Sequence, residues 1–116
     1  MTTPQKAKGS QWERDVADYF REHGFPMADR RYGAGVAQDK GDLVGIPNFA
    51  VECKNQAKID LAGFIEEALI EAKHAGARFG CAIVKRRRKN TKDAYVVMTL
   101  EQFSELIGEV YGTAKR

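Results

Sequence analysis

The chain has 116 residues, a length that suits one domain burying roughly two-thirds of the surface its unfolded form exposes. With 43% hydrophobic and 30% charged residues it is neither a disordered chain nor a membrane-embedded one, and two cysteines are too few for a disulfide scaffold. A net charge of +3 is too small to argue for a polyanionic partner, so that argument rests on where the charges sit.

Residues 1–9 show no hydrophobic period and read as a flexible basic arm carrying Lys6 and Lys8, ahead of a single domain over 10–116. From Ser10 the residues Trp12, Val16, Tyr19 and Phe20 recur at helical spacing, and Gly24 supplies a stop, which predicts a helix over 11–23. Ser10-Gln11-Trp12-Glu13 has the form of a capping box for that helix. Residues 26–32 suit a short edge strand, and the glycine-rich stretch 33–41, which includes Lys40, reads as an exposed loop.

Two apolar runs between Asp42 and Lys54 flank a Gly45, Pro47, Asn48 turn signal and predict an antiparallel hairpin. Leu61, Ile65, Ala68, Leu69 and Ala72 then mark an amphipathic helix over 60–76, capped by Asp60 and ended by Gly76. Phe79–Val84 is almost wholly apolar, as a central strand covered on both faces is, and its order after a strand and a helix predicts a parallel crossover. A basic run, Lys85–Lys89 with Lys92, separates it from a strand over 94–98. Thr99 and Gln102 form a capping box for a last helix with Leu100, Phe103, Leu106, Ile107 and Val110. The expected architecture is α/β in the order α-β-β-β-α-β-β-α, a central mixed five-stranded sheet flanked by helices.

The hairpin carries the chemistry. A turn centred on Pro47 sets Asp42 directly opposite Glu52, and opposed side chains share a face with Cβ atoms about 4.5–5.5 Å apart. Strand alternation puts Lys54 on that face and turns Val51 and Cys53 to the other. Two opposed carboxylates repel unless a cation joins them. A hard divalent ion such as Mg²⁺ takes a few carboxylate oxygens and keeps positions for water and phosphate. Asp42 and Glu52 are therefore expected to bind metal with the Cys53 backbone carbonyl, and Lys54 to orient water or to offset negative charge. Glu-x-Lys alone is also common on solvated strands; its placement opposite Asp42, beside a glycine-rich loop, makes it specific.

Gly41-Asp42, the ten-residue step to Glu52 and Glu52-Cys53-Lys54 resemble the signature of the PD-(D/E)xK nuclease superfamily, with glycine in the place of the usual proline. Lys8-Gly9, Glu13, the helix ending in Gly24-Phe25, then Arg30-Arg31 and Gly33 are similar to the opening of archaeal-type Holliday junction resolvases. The resemblance spans residues 8–54. It implies a restriction-endonuclease-like core, a symmetric dimer, Mg²⁺ that Mn²⁺ can replace, and paired cuts in branched DNA. It also implies a metal-site role for Glu13, in competition with the cap.

The expected catalytic set is thus Glu13, Asp42, Glu52 and Lys54. Lys8, Arg30, Arg31, Lys40, Lys85, Arg86, Arg87, Arg88 and Lys89 are the expected DNA contacts, against the alternative that they are solvated charges. Neither cysteine has a partner at metal-ligand spacing, and both read as small buried hydrophobes. Ile70 and Phe64 fall partly off the apolar stripe of their helix and could mark a subunit contact. The expected function is a magnesium-dependent, structure-selective DNA endonuclease, a homodimer in the cytoplasm, or in a host's cytoplasm for a phage-encoded chain, without membrane contact or small-molecule cofactor. The rival readings are a nuclease of the same core acting on ordinary duplex or single strands, and a non-catalytic DNA-binding module.

Overall fold

In the computed structural model, which describes residues 3–32 and 41–113, the protein is α/β, with three helices and two small sheets. The first helix, α1, runs Pro4–Glu22 and so begins well before Ser10. Thr3 is its N-cap, its hydroxyl accepting from the Lys6 N–H, and Pro4 follows at a position where proline loses no hydrogen bond. Residues 4–9, expected as a flexible arm, are helical because Thr-Pro is a start signal and Gln5, Lys6, Ala7 and Lys8 are strong helix formers. Ser10 is consequently interior, and the capping box expected there does not form.

The strands β1 (Asp29–Arg30) and β2 (Leu43–Val44) pair antiparallel as a two-stranded sheet. A second sheet has the order β3 (Phe49–Lys54), β4 (Phe79–Val84), β5 (Tyr95–Val97). β3 and β4 are parallel, from Phe49 opposite Phe79 to Lys54 opposite Val84, and β5 returns antiparallel with Tyr95 opposite Val84. The strands expected in one five-stranded sheet are thus divided between two.

Gly45 accounts for the split. Its φ is +84°, and a Cβ there would lie 2.2 Å from the Met27 carbonyl oxygen, so the chain after β2 passes directly over the segment that leads into β1. The turn that follows is Ile46–Phe49, closed by the Phe49 N–H on the Ile46 carbonyl, with Pro47 second and Asn48 third at φ +67°. β2 pairs with β1, and the backbone hydrogen bond to β3 comes from Asp42, just before β2. Gly45→Ala is expected to destabilise the fold by about 3 kcal/mol, from backbone overlap and positive φ together, and urea denaturation measures it.

Between β3 and β4 lies α2, Leu61–Ala75, capped by the Asp60 carboxylate on the Gly63 N–H and ended by left-handed Gly76. α1 covers one face of the larger sheet, where Trp12, Val16 and Ala17 pack on Leu43, Val51, Cys81 and Ile83. The Trp12 indole donates to the Ile83 carbonyl at 3.1 Å. α2 covers the other face, where Phe64 meets Ala82 and Val84. Phe64 therefore belongs to the core, while Ile70 is exposed.

The last helix, α3 (Leu100–Tyr111), is oriented against its own hydrophobic pattern. Thr99 caps it as expected, but the Gln102 amide oxygen accepts from the Gly80 N–H at 2.8 Å, tying the helix to β4. Arg78 pairs with Glu105 and Glu109. These polar ties leave the apolar stripe outward: Leu100 is 81% and Val110 73% exposed, with Phe103 and Ile107 between them also exposed. Among the described residues, no helix is long and apolar enough to cross a membrane.

Candidate active site

Asp42 stands where the two sheets separate. Its N–H donates to the Val51 carbonyl of β3 at 2.8 Å, while its own carbonyl accepts from Arg31 beside β1. Its carboxylate oxygen Oδ2 accepts from the Cys53 N–H at 2.7 Å. The position just before it requires an unusual backbone: Gly41 has φ +102°, closed to proline, and a Cβ there would come within 3.2 Å of Val51 N and O. Asp42 is therefore one residue out of the expected register, bonded to Val51 and Cys53 on either side of Glu52, which still brings the two carboxyl groups together.

Glu52 lies on the α2 face of β3 and is 4% exposed. Its Oε2 is buried and meets no hydrogen-bond donor among the described residues. Burial foremost, then contact with Glu52 and its charge, pushes the Asp42 carboxyl up to about 9, against the pull of the Cys53 N–H; the charge of Glu13 adds to the rise. Glu52 is likewise raised to about 9, by burial first and then by Glu71 and Glu67. Burial thus favours the protonated form of both groups.

Lys54 shares the face of Glu52, as alternation predicts. Its Nζ lies 2.6 Å from Glu67 Oε2, 3.9 Å from Glu52 Oε1 and 5.4 Å from the Phe64 ring centroid. Burial alone would lower this ammonium; the Glu67 hydrogen bond and the charges of Glu52, Glu67 and Asp42 outweigh it and hold it raised.

Glu13 is close enough for its charge to act on Asp42, but its carboxylate is held by Arg30 at 3.0 Å, and Arg30 also donates to the Ser10 hydroxyl. The helix-cap role once open to Glu13 is gone, since the helix starts at Pro4. Arg30, expected on DNA, is largely occupied by Glu13 and stacks on Tyr32 at 5.2 Å. Arg31 is half-buried, its Nε without a partner among the described residues.

Two acidic residues of α2 were missed from sequence. Glu71 is 1% exposed, and Glu52, Glu67 and Glu71 each offer an oxygen within 4.8 Å of the others. The signal was there: Glu71 falls among Phe64, Ala68 and Ala72, the buried face of α2. The stripe drawn through Leu61 and Ile65 lies slightly around the helix from that face and hid it.

Lys8 meets the basic run Lys85–Lys89 across a cavity of about 650 Å³ at the C-terminal ends of β3 and β4, with Asn55, Gln56 and Tyr95 in its lining. Lys85 lies 5.0 Å from the Trp12 ring centroid, so its charge borders the cleft above the core. Lys92 instead lies beside Asp15 and Asp18 of α1. Lys40 is outside the described residues. Cys81 is buried, its thiol pushed up to about 12, and half-buried Cys53 is raised further, chiefly by burial, so neither is a reactive thiolate.

Compared with protein-family models, with curated proteins and with solved structures, the chain matches none.

Proposed function

We propose that this protein is a metal-dependent DNA endonuclease that hydrolyses phosphodiester bonds at Asp42, Glu52 and Lys54. The observation that carries this reading is the pair of buried, adjoining carboxyl groups, one with an undonated oxygen, beside a lysine ammonium and next to a basic cleft. Buried like charges in contact are unfavourable by themselves and become favourable around a divalent cation.

The donor set fits a hard cation. Asp42, Glu52 and the Cys53 carbonyl would hold it: in an extended strand the N–H and C=O of one residue point to the same side, and the Cys53 N–H points at Asp42. All three donors are oxygens, the choice of Mg²⁺ or Mn²⁺. Bound there, the ion supplies acidity to a water and positive charge to the phosphate oxygens. Lys54 places an ammonium beside the attacked phosphorus, while Glu67 fixes its position. Water adds to phosphorus, the bond to the leaving oxygen breaks, and that oxygen takes up a proton. Glu13 adds a carboxylate on the α1 side once Arg30 transfers to a phosphate.

Preference for branched DNA rests on the likeness to junction resolvases at Lys8, Glu13, Arg30, Arg31 and the Asp42–Lys54 segment. Side-by-side cleavage of four-way junction, flap, nicked and linear substrates in Mg²⁺ tests it, and equal rates on all four remove the resolvase reading in favour of a general nuclease. Two symmetric cuts need two sites, and the outward apolar stripe of α3 offers a surface for a second copy. Phe103→Glu with Ile107→Glu is expected to turn a dimer into a folded monomer, read by light scattering; an unchanged mass places the contact elsewhere.

A further inference from the structure

We propose that the basic cleft seats an unpaired DNA strand, with phosphates on Lys8 and Lys85–Lys89 and a base stacked on Tyr95. The substrate class is then DNA carrying single-stranded nucleotides beside the cut. This rests on the nuclease reading for its purpose, but not for its geometry.

Charge is the first observation. Among the described residues, six cations line the cleft and no carboxylate does, although the chain as a whole is only mildly basic. The Lys85 N–H donates to the Lys54 carbonyl at 2.9 Å and Asn55 follows Lys54, so the cleft begins at the end of β3, the strand that carries Glu52 and Lys54. A strand lying in it would run past the end of β3.

Tyr95 separates a single strand from a duplex. It is 54% exposed at the start of β5, and the Arg86 guanidinium lies 5.0 Å from its ring centroid. A ring backed by a cation is a stacking platform, and only an unpaired base has a face to offer it. A cleft of about 650 Å³ has room for a short unpaired stretch. The side-chain amides of Asn55 and Gln56 supply donors and acceptors for the edges of such bases.

Arg88 supplies an independent observation. The Lys89 N–H closes on the Arg86 carbonyl, making Arg88 the third residue of a tight turn, at φ +62°. Glycine or asparagine takes that conformation with little strain, whereas an exposed arginine gains no packing to offset it. Strain of this kind persists where the side chain has a use, and in this turn the use is its charge.

Fluorescence anisotropy in EDTA, with a labelled oligothymidylate and a blunt duplex of equal length, tests the proposal without cleavage. Wild type is expected to bind the single strand about tenfold more tightly than the duplex. Tyr95→Ala should weaken single-strand binding about tenfold and duplex binding less than twofold, and Tyr95→Phe should restore it. Arg88→Gly should raise the melting temperature by a few degrees while weakening both complexes and lowering the salt slope by about one. Equal affinity for the two DNA forms, or Tyr95→Ala weakening both equally or neither, overturns the proposal. Displacement of the single strand by polyglutamate at equal charge also overturns it, since that marks a cleft for any polyanion. A single-strand preference in a protein that never cleaves leaves the cleft standing and removes the nuclease; cleavage indifferent to Tyr95→Ala does the reverse.

Discussion

Asp42→Asn is expected to lower magnesium-dependent cleavage about 10³-fold or more and, at the same time, to make the metal-free protein more stable by about 1–2 kcal/mol. The two effects share one cause. Asp42 is held against Glu52 where burial disfavours charge, and its carboxyl is raised to about 9. An asparagine keeps an oxygen for the Cys53 N–H and, unlike aspartate, need not take up a proton to be buried against Glu52. Denaturation in EDTA and single-turnover cleavage in Mg²⁺, on the same preparation, read both. A purely structural Asp42 predicts loss of stability instead.

The second large effect is a pH dependence whose sign depends on metal. Asp42 and Glu52 are raised in the folded state from an ordinary range near 4 to about 9. Between those values the folded protein binds more protons than the unfolded chain, so metal-free stability falls as pH rises across that window. Their contribution is fully present below about pH 4 and is lost as pH rises through 9. At the proposed metal site Mg²⁺ would have to displace those protons, so its affinity and stabilising effect are expected to grow in the same window. Titration calorimetry at pH 7 in buffers of different ionisation heat is expected to show release of about one to two protons per Mg²⁺ bound. A metal-free melting temperature that is flat from pH 5 to 9 would contradict the buried-pair account.

What could be read from sequence was whatever a local signal decides. α2 and β4 lie where Asp60, Gly76 and the apolar run Phe79–Val84 place them, because caps and full burial leave their mark on neighbouring residues. The nearness of Asp42 and Glu52 followed from a short turn. Its register did not, since Gly45 is held by a distant contact with Met27 and the turn lies at Ile46–Phe49. The start of α1 was missed because Pro4–Gly9 has no buried face to give it a period; a cap and helix propensity hold it. α3 misled in the opposite way. Its stripe has the right period, but Gln102, Glu105 and Glu109 hold the polar side to the body. Glu71 was hidden because a buried carboxylate in an apolar stripe reads as an interruption until Glu52 is seen opposite it.

The central claim is that Asp42, Glu52 and Lys54 form a metal-dependent nuclease site. Its most direct measurement is cleavage of end-labelled branched and single-stranded DNA by the wild-type protein, in Mg²⁺, after EDTA, and after Mg²⁺ is restored in excess. The account predicts endonucleolytic products in the first and third conditions and none in the second, with Asp42→Asn and Lys54→Ala inactive throughout. Intact DNA in Mg²⁺ on every substrate, or products that persist in EDTA or with Asp42→Asn, would contradict it.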